Sequence, residues 1–337
     1  MLIEVRIDVN ERQKLRRQLS HLHGRNWVVA AVHLRRLGAT TSRSRRITLY
    51  SDFAKRYALL DQLLHPVRRS IAERVSSVFN DRGAGERPVV RRADSLFGPG
   101  SVAWRVNGDV TSMMVGGVSA LLLQMLHPSV LAGVWDHSNF RADMHGRLRR
   151  TARFIAVTTF GGRDDAMEAI ARVRTIHDRV RGELPDGTPY RANDPALINW
   201  VNVSSASSFL AGYRRYADPR MTGRDQDRYY AEMAEVAAAL GAGRPPRDRR
   251  AAASMIATMR RDLKADERSR EVARLVLEQP SPAAAGEPIR RLAMAAGVDL
   301  LPDWAQRLHG LTSPIMNRPA LRLGTFGIAQ TLRWAFG

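Results

Sequence analysis

The chain has 337 residues, of which 44% are hydrophobic, 26% charged and 7% aromatic. That is enough for a substantial buried core and ordinary for a globular protein. It contains no cysteine, which excludes disulfides, iron–sulfur clusters, thiolate-bound zinc, thiolate-ligated haem and covalent haem attachment. The formal net charge is +20, with about +12 of it in residues 1–92, and nearly all the positive charge is arginine. Such a balance suits nucleic acid or an anionic membrane surface. A general replacement of lysine by arginine in a GC-rich genome produces the same composition.

Residues 1–92 read as a basic N-terminal extension. The first fifty are Arg-rich, and SRSRR at 42–46 reads as a solvated tail; an over-long gene start would also account for them. Helical periodicity appears around Pro66 over 51–79, followed by a linker at 80–92. No secretory leader is visible, because MLIEVRIDVNERQKLRRQL lacks a continuous apolar run. The expected location is therefore the cytoplasm, with peripheral membrane attachment left open.

Residues 93–337 read as one all-α domain. Val110 to Trp135 form a long uncharged stretch, long enough to span a bilayer but interrupted by Gln124, His127 and Pro128. A buried helix that breaks at His127-Pro128 fits better. A second helix is expected from Asp143 to Thr159, stopped by Gly161-Gly162. A third is expected from Asp164 to Arg181, on the repeat Ala166, Ile170, Val173, Ile176 and Val180, with Gly182 as its cap. Pro185-Asp186-Gly187 predicts a turn, and Asp194-Pro195 a helix start running to Tyr216. Further helices are expected over 227–241 and 250–278, then a loop at 280–288 and short helices between prolines.

His177 lies four residues after Val173 and seven after Ile170, on the buried side of its predicted helix. A neutral imidazole in an apolar wall is a natural axial ligand for haem iron, although a hydrogen-bonded core histidine has the same spacing. Arg147, Arg150 and Thr151 are three and four residues apart and share one face of the preceding helix. Facing inward, they would need an anionic or oxygen-rich partner, such as haem propionates or dioxygen; facing outward, they are a solvated stripe. His127, His137 and His177, with Asp136 or Asp143, could also hold a non-haem metal, but their spacing matches no standard metal motif. Gly-x-Gly at 98–100 and 241–243 follows no strand, so a dinucleotide fold is unsupported.

Several segments together resemble a known family: GPGSVAWRVNGD at 98–109, LLLQMLHPSVLAGVWDHSNF at 121–140, RLRRTARF at 147–154, FGG at 160–162, RVRTIHDRVRGELPDGTPYRANDP at 172–195 and INWVN at 198–202. Over about 93–325 the chain is similar to the catalytic domain shared by bacterial rubber oxygenase (latex clearing protein) and the fungal endoplasmic-reticulum-bound oxygenase mpaB. The resemblance implies a globin-like helical domain holding non-covalent haem b, with His177 as axial ligand of the iron. It implies O2 as co-substrate and oxidative cleavage of a small apolar, alkene- or isoprenoid-like substrate lying along the 113–126 helix. Arg147, Arg150 and Thr151 match the family's distal Arg-Lys-Thr positions, so Arg150 stands where relatives carry lysine. Guanidinium stays protonated and cannot ligate iron as a neutral amine can. Asn202 likewise stands where many members have histidine. These departures keep open a non-catalytic haem carrier or sensor, and residues 1–92 keep open a nucleic-acid or membrane-surface binder.

Overall fold

The structure, a computed structural model, describes residues 64–70, 88–280, 286–311 and 318–336. The predicted tail, most of the 51–79 helix and the first part of the linker lie outside these; 64–70 is helical. The described residues from Val67 onward belong to one compact unit.

The architecture is all-α. Helices α1 (Val102–Asn107), α2 (Val110–Gln124), α3 (Pro128–His137), α4 (Met144–Phe160) and α5 (Arg163–His177) lead into a two-stranded antiparallel hairpin, β1 (Arg181–Glu183) with β2 (Pro189–Arg191). Then follow α6 (Pro195–Tyr216), α7 (Gly223–Leu240), α8 (Arg249–Met259), α9 (Glu267–Glu278), α10 (Glu287–Leu300), α11 (Asp303–His309) and α12 (Arg318–Phe336).

Local chemistry sets the helix boundaries. Asp109 accepts from the backbone N–H of Ser112 at 2.9 Å and so caps α2. Pro128 cannot donate to the helical ladder, and the chain turns by 103° between α2 and α3. Asp143 caps α4 through the Gly146 N–H, and Asp194 caps α6 with Pro195 at its first position. Gly241, with φ of 107°, ends α7.

The centre of the domain is α2 against α6, two apolar helices that touch closely because glycine sits at the contact. A Cβ on Gly116 would meet the Phe209 Cα and the Ser208 carbonyl oxygen at 2.9 Å. One on Gly212 would meet the Ser112 carbonyl oxygen at 3.0 Å. Leu122, Leu126, Trp200 and Val203 are fully buried here. With α6 on one side and α10 on another, α2 is a core helix, and its 113–126 stretch is taken up by packing. Among the described residues no single helix is long and apolar enough to cross a membrane.

Polar residues of the 98–109 segment also hold the core. The buried Glu232 of α7 accepts from the N–H groups of Val102 and Ala103 (3.3 and 2.6 Å), supplying the acceptors that the start of α1 lacks. Asn107 donates to Thr159 and accepts from Tyr229, both at 2.9 Å, joining α1, α4 and α7.

Three expected boundaries differ. The third predicted helix stops at His177, four residues early. Val180 and Gly182 belong to the turn and β1, and Ile176 is 55% exposed. The short hairpin was not expected from the pattern, although its Pro185-Asp186-Gly187 turn was. The predicted 250–278 helix is two helices. They are broken around Leu263–Asp266, where the Lys264 N–H donates to the Leu126 carbonyl at 2.8 Å.

Candidate functional site

Helices α4 and α5 pack against each other across the Gly161-Gly162 turn. Arg147 lies near the start of α4, and His177 is the last residue of α5. Thr151 lies one turn further along α4.

His177 is the last residue of α5, partly buried, and its Nδ1 is fully shielded from solvent without a hydrogen bond of good geometry. Burial lowers its pKa below the ordinary 6.5, against smaller raising effects from Asn193 and Asp178. The ring is therefore neutral at pH 7, the state in which a nitrogen lone pair can bind a metal. Asn193, just before α6, was missed by the sequence reading. Its amide nitrogen donates to Asp178 Oδ1 and to the Arg174 carbonyl (3.3 Å). The Arg174 carbonyl also accepts the Asp178 N–H at 2.9 Å, so Asn193 adds a second bond at the end of α5. Both partners are acceptors, so the amide oxygen must face the other way. That oxygen is buried and unpartnered, and the side chain reaches the His177 ring.

Arg147 is partly buried, and its guanidinium donates to Ser138 Oγ at 3.1 Å. Among the described residues no carboxylate pairs with it, and desolvation together with the charge of Arg150 pushes its pKa down to about 10. It remains charged at pH 7, in surroundings that lack a counter-ion. Arg150 and Thr151 are exposed. Arg150 turns toward Asp143 at 3.5 Å, and the Thr151 hydroxyl donates to the Arg147 carbonyl at 3.2 Å. Only Arg147 of the three therefore points its polar group into a desolvated position.

The structure does not gather His127, His137 and His177. Among the described residues no three His, Asp or Glu side chains form a metal-binding group. His127 caps α3 beside Trp200, their ring centroids 6.4 Å apart, and His137 Nε2 lies 3.2 Å from the Arg181 carbonyl. Asp143 serves as the α4 cap, and Asp136 accepts from the Tyr190 hydroxyl at 2.8 Å. Burial and that bond push the Tyr190 pKa up to about 12. A lone imidazole with no companion donors suits a metal already held on four sides by a macrocycle, not a bare ion.

Along α4, Leu148, Phe154, Ile155 and Val157 are half-buried apolar side chains, of which Leu148 and Ile155 pack against the main core. On α5, Met167 and Ile176 are exposed at 46% and 55%.

Residues 104–334 match the profile of the family described as ER-bound oxygenase mpaB/B'/Rubber oxygenase, catalytic domain. The match spans more than half of the chain, which therefore belongs to that family. Comparison with curated proteins and with solved structures gave no match.

Proposed function

We propose that this protein is a haem-b-dependent oxygenase acting on a small apolar, alkene- or isoprenoid-like substrate, with O2 as co-substrate. The observation that carries the reading is two incomplete groups on the successive helices α4 and α5: a partly buried, neutral histidine whose Nδ1 has no partner, and a desolvated arginine with no carboxylate beside it among the described residues. An axial ligand and a partner for anionic oxygen are the two things a haem site asks of a protein. Haem b supplies the redox iron that activates dioxygen when it is bound.

In this reading His177 would hold the haem iron, and Asn193, beside its ring, would orient it. Arg147 would pair with an anionic group of the bound cofactor, and would lose little to water because it is already desolvated. Thr151 adds a hydroxyl one turn away. Arg150 brings a guanidinium where relatives have lysine, and a guanidinium offers no neutral amine to the iron. Apolar residues of α4, and not the buried 113–126 stretch, form the wall against which an apolar substrate lies. Oxygen uptake with polyisoprene or short terpenoids tests the reading; turnover lost in Arg147→Ala supports it, and turnover unaffected by that change counts against it.

The exposed Ile176 beside a half-exposed His177 favours one second reading, a haem carrier or sensor whose cofactor stays near the surface. That protein would bind haem but consume no oxygen with any such substrate.

A further inference from the structure

Helix α12 is charged on the inside and apolar on the outside. It contains three arginines and no acidic residue. All three arginines turn toward the domain. Arg322 makes two bonds to the buried Asp299 (2.8 and 3.1 Å), and Arg318 approaches the same carboxylate at 3.4 Å. Arg333 donates to the buried Asp109 at 2.6 Å. The outward face carries no charge. Leu323 is 73% exposed, and Phe326, Trp334 and Phe336 are exposed between Pro319, Gly324, Gly327, Gln330 and Thr331. A surface helix of a globular protein ordinarily has the opposite arrangement.

Beneath this face lies a shallow apolar crevice between α2, α10 and α12. Met114, Leu292, Ile328 and Leu332 line it, and the exposed Ile289 stands at its edge. The Thr111 hydroxyl also lines it, buried and without a partner. None of the residues that line it belongs to the site proposed for haem.

We propose that α12 is a membrane-docking helix, lying in the surface of an anionic bilayer. Charge selects this occupant. A second copy would bring another net charge of +20 against the first, whereas anionic headgroups attract it. The guanidinium of Arg68 stacks over Trp334, 5.5 Å from the ring centroid, placing a cation beside the apolar face. Apolar and aromatic side chains bordered by arginine are the composition that lies in the bilayer interface.

The test is flotation of the full chain with vesicles of phosphatidylcholine, with and without about a third of phosphatidylglycerol. The expected result is flotation with the anionic vesicles, weakened at least about tenfold in Leu323→Asp/Phe326→Asp, because charge on the buried face opposes insertion. Both positions are exposed, and circular dichroism checks that the double variant is folded. Brominated lipid should quench part of the tryptophan emission of the wild-type protein, and that part should vanish in Trp334→Phe. Equal flotation of the double variant would assign binding to other basic segments and overturn the proposal. A dimer that disperses in the double variant, without flotation of the wild type, would assign the face to a second copy and overturn it too.

Discussion

Asn193 joins Asp178 to the Arg174 carbonyl beside His177. Its amide nitrogen is committed to those two acceptors, which leaves its oxygen buried and unpartnered, as His177 Nδ1 is. An oxygen can only accept, so a bond closing between the two would hold the His177 proton on Nδ1 and leave Nε2 unprotonated. Two-bond proton–nitrogen NMR of the haem-free protein should show the Nδ1–H form of His177. In Asn193→Leu the preference should be lost. A dominant Nε2–H form in the wild type would show that the oxygen does not set the ring.

Burial lowers the pKa of His127, His177 and His309 below 6.5. The unfolded chain then binds more protons than the folded one between the folded values and 6.5, so stability rises with pH across that window. It is fully present above 6.5 and falls as the medium is acidified. The melting temperature of the haem-free protein should therefore drop between pH 7.5 and pH 5.5. Part of the drop should disappear in His177→Ala. A melting temperature flat over that range would contradict the assignment of three neutral buried rings.

Arg147 costs the haem-free protein stability, because it is desolvated without a counter-charge. Arg147→Met keeps the apolar stem and removes the charge. It should stabilise the haem-free protein by about 1 kcal/mol in urea unfolding while weakening haem retention. Destabilisation with unchanged haem binding would mean that the guanidinium has only a structural role, through Ser138.

The contact of α2 with α6 leaves no room at Gly116. Gly116→Ala puts a methyl group against the Phe209 and Ser208 backbone at 2.9 Å. An overpacked core position of this kind costs roughly 1–3 kcal/mol. Gly117→Ala, whose Cβ would meet only the Phe209 ring at 3.9 Å, should cost little. Equal effects at the two positions in thermal unfolding would contradict the observed packing.

Much of this was legible in the residues. Pro128 and Asp194-Pro195 announced their boundaries through backbone chemistry that acts within a few residues. The end of α5 was not legible, because Val180 continues the apolar repeat by position while its backbone pairs with the loop before α6 through Ala192. The break near Leu263 depends on a bond to Leu126, far away in sequence. His177 was visible through its spacing, but Asn193 was not, since a polar residue before a helix cap carries no mark of what it faces across the turn. Arg147, Arg150 and Thr151 looked equivalent on a helical face. A neighbouring carboxylate on Asp143 and the exposure of the α4 surface separate them, and neither is encoded in their offsets.

The central claim is that His177 binds haem. Absorption spectra of the purified protein, titrated with haem in the oxidised and reduced states, test it most directly. The account predicts a strong Soret band that saturates at one haem per chain and is lost in His177→Ala, with that variant still folded by circular dichroism. A wild-type protein that takes up no haem, or a His177→Ala protein that keeps the full band, would contradict it.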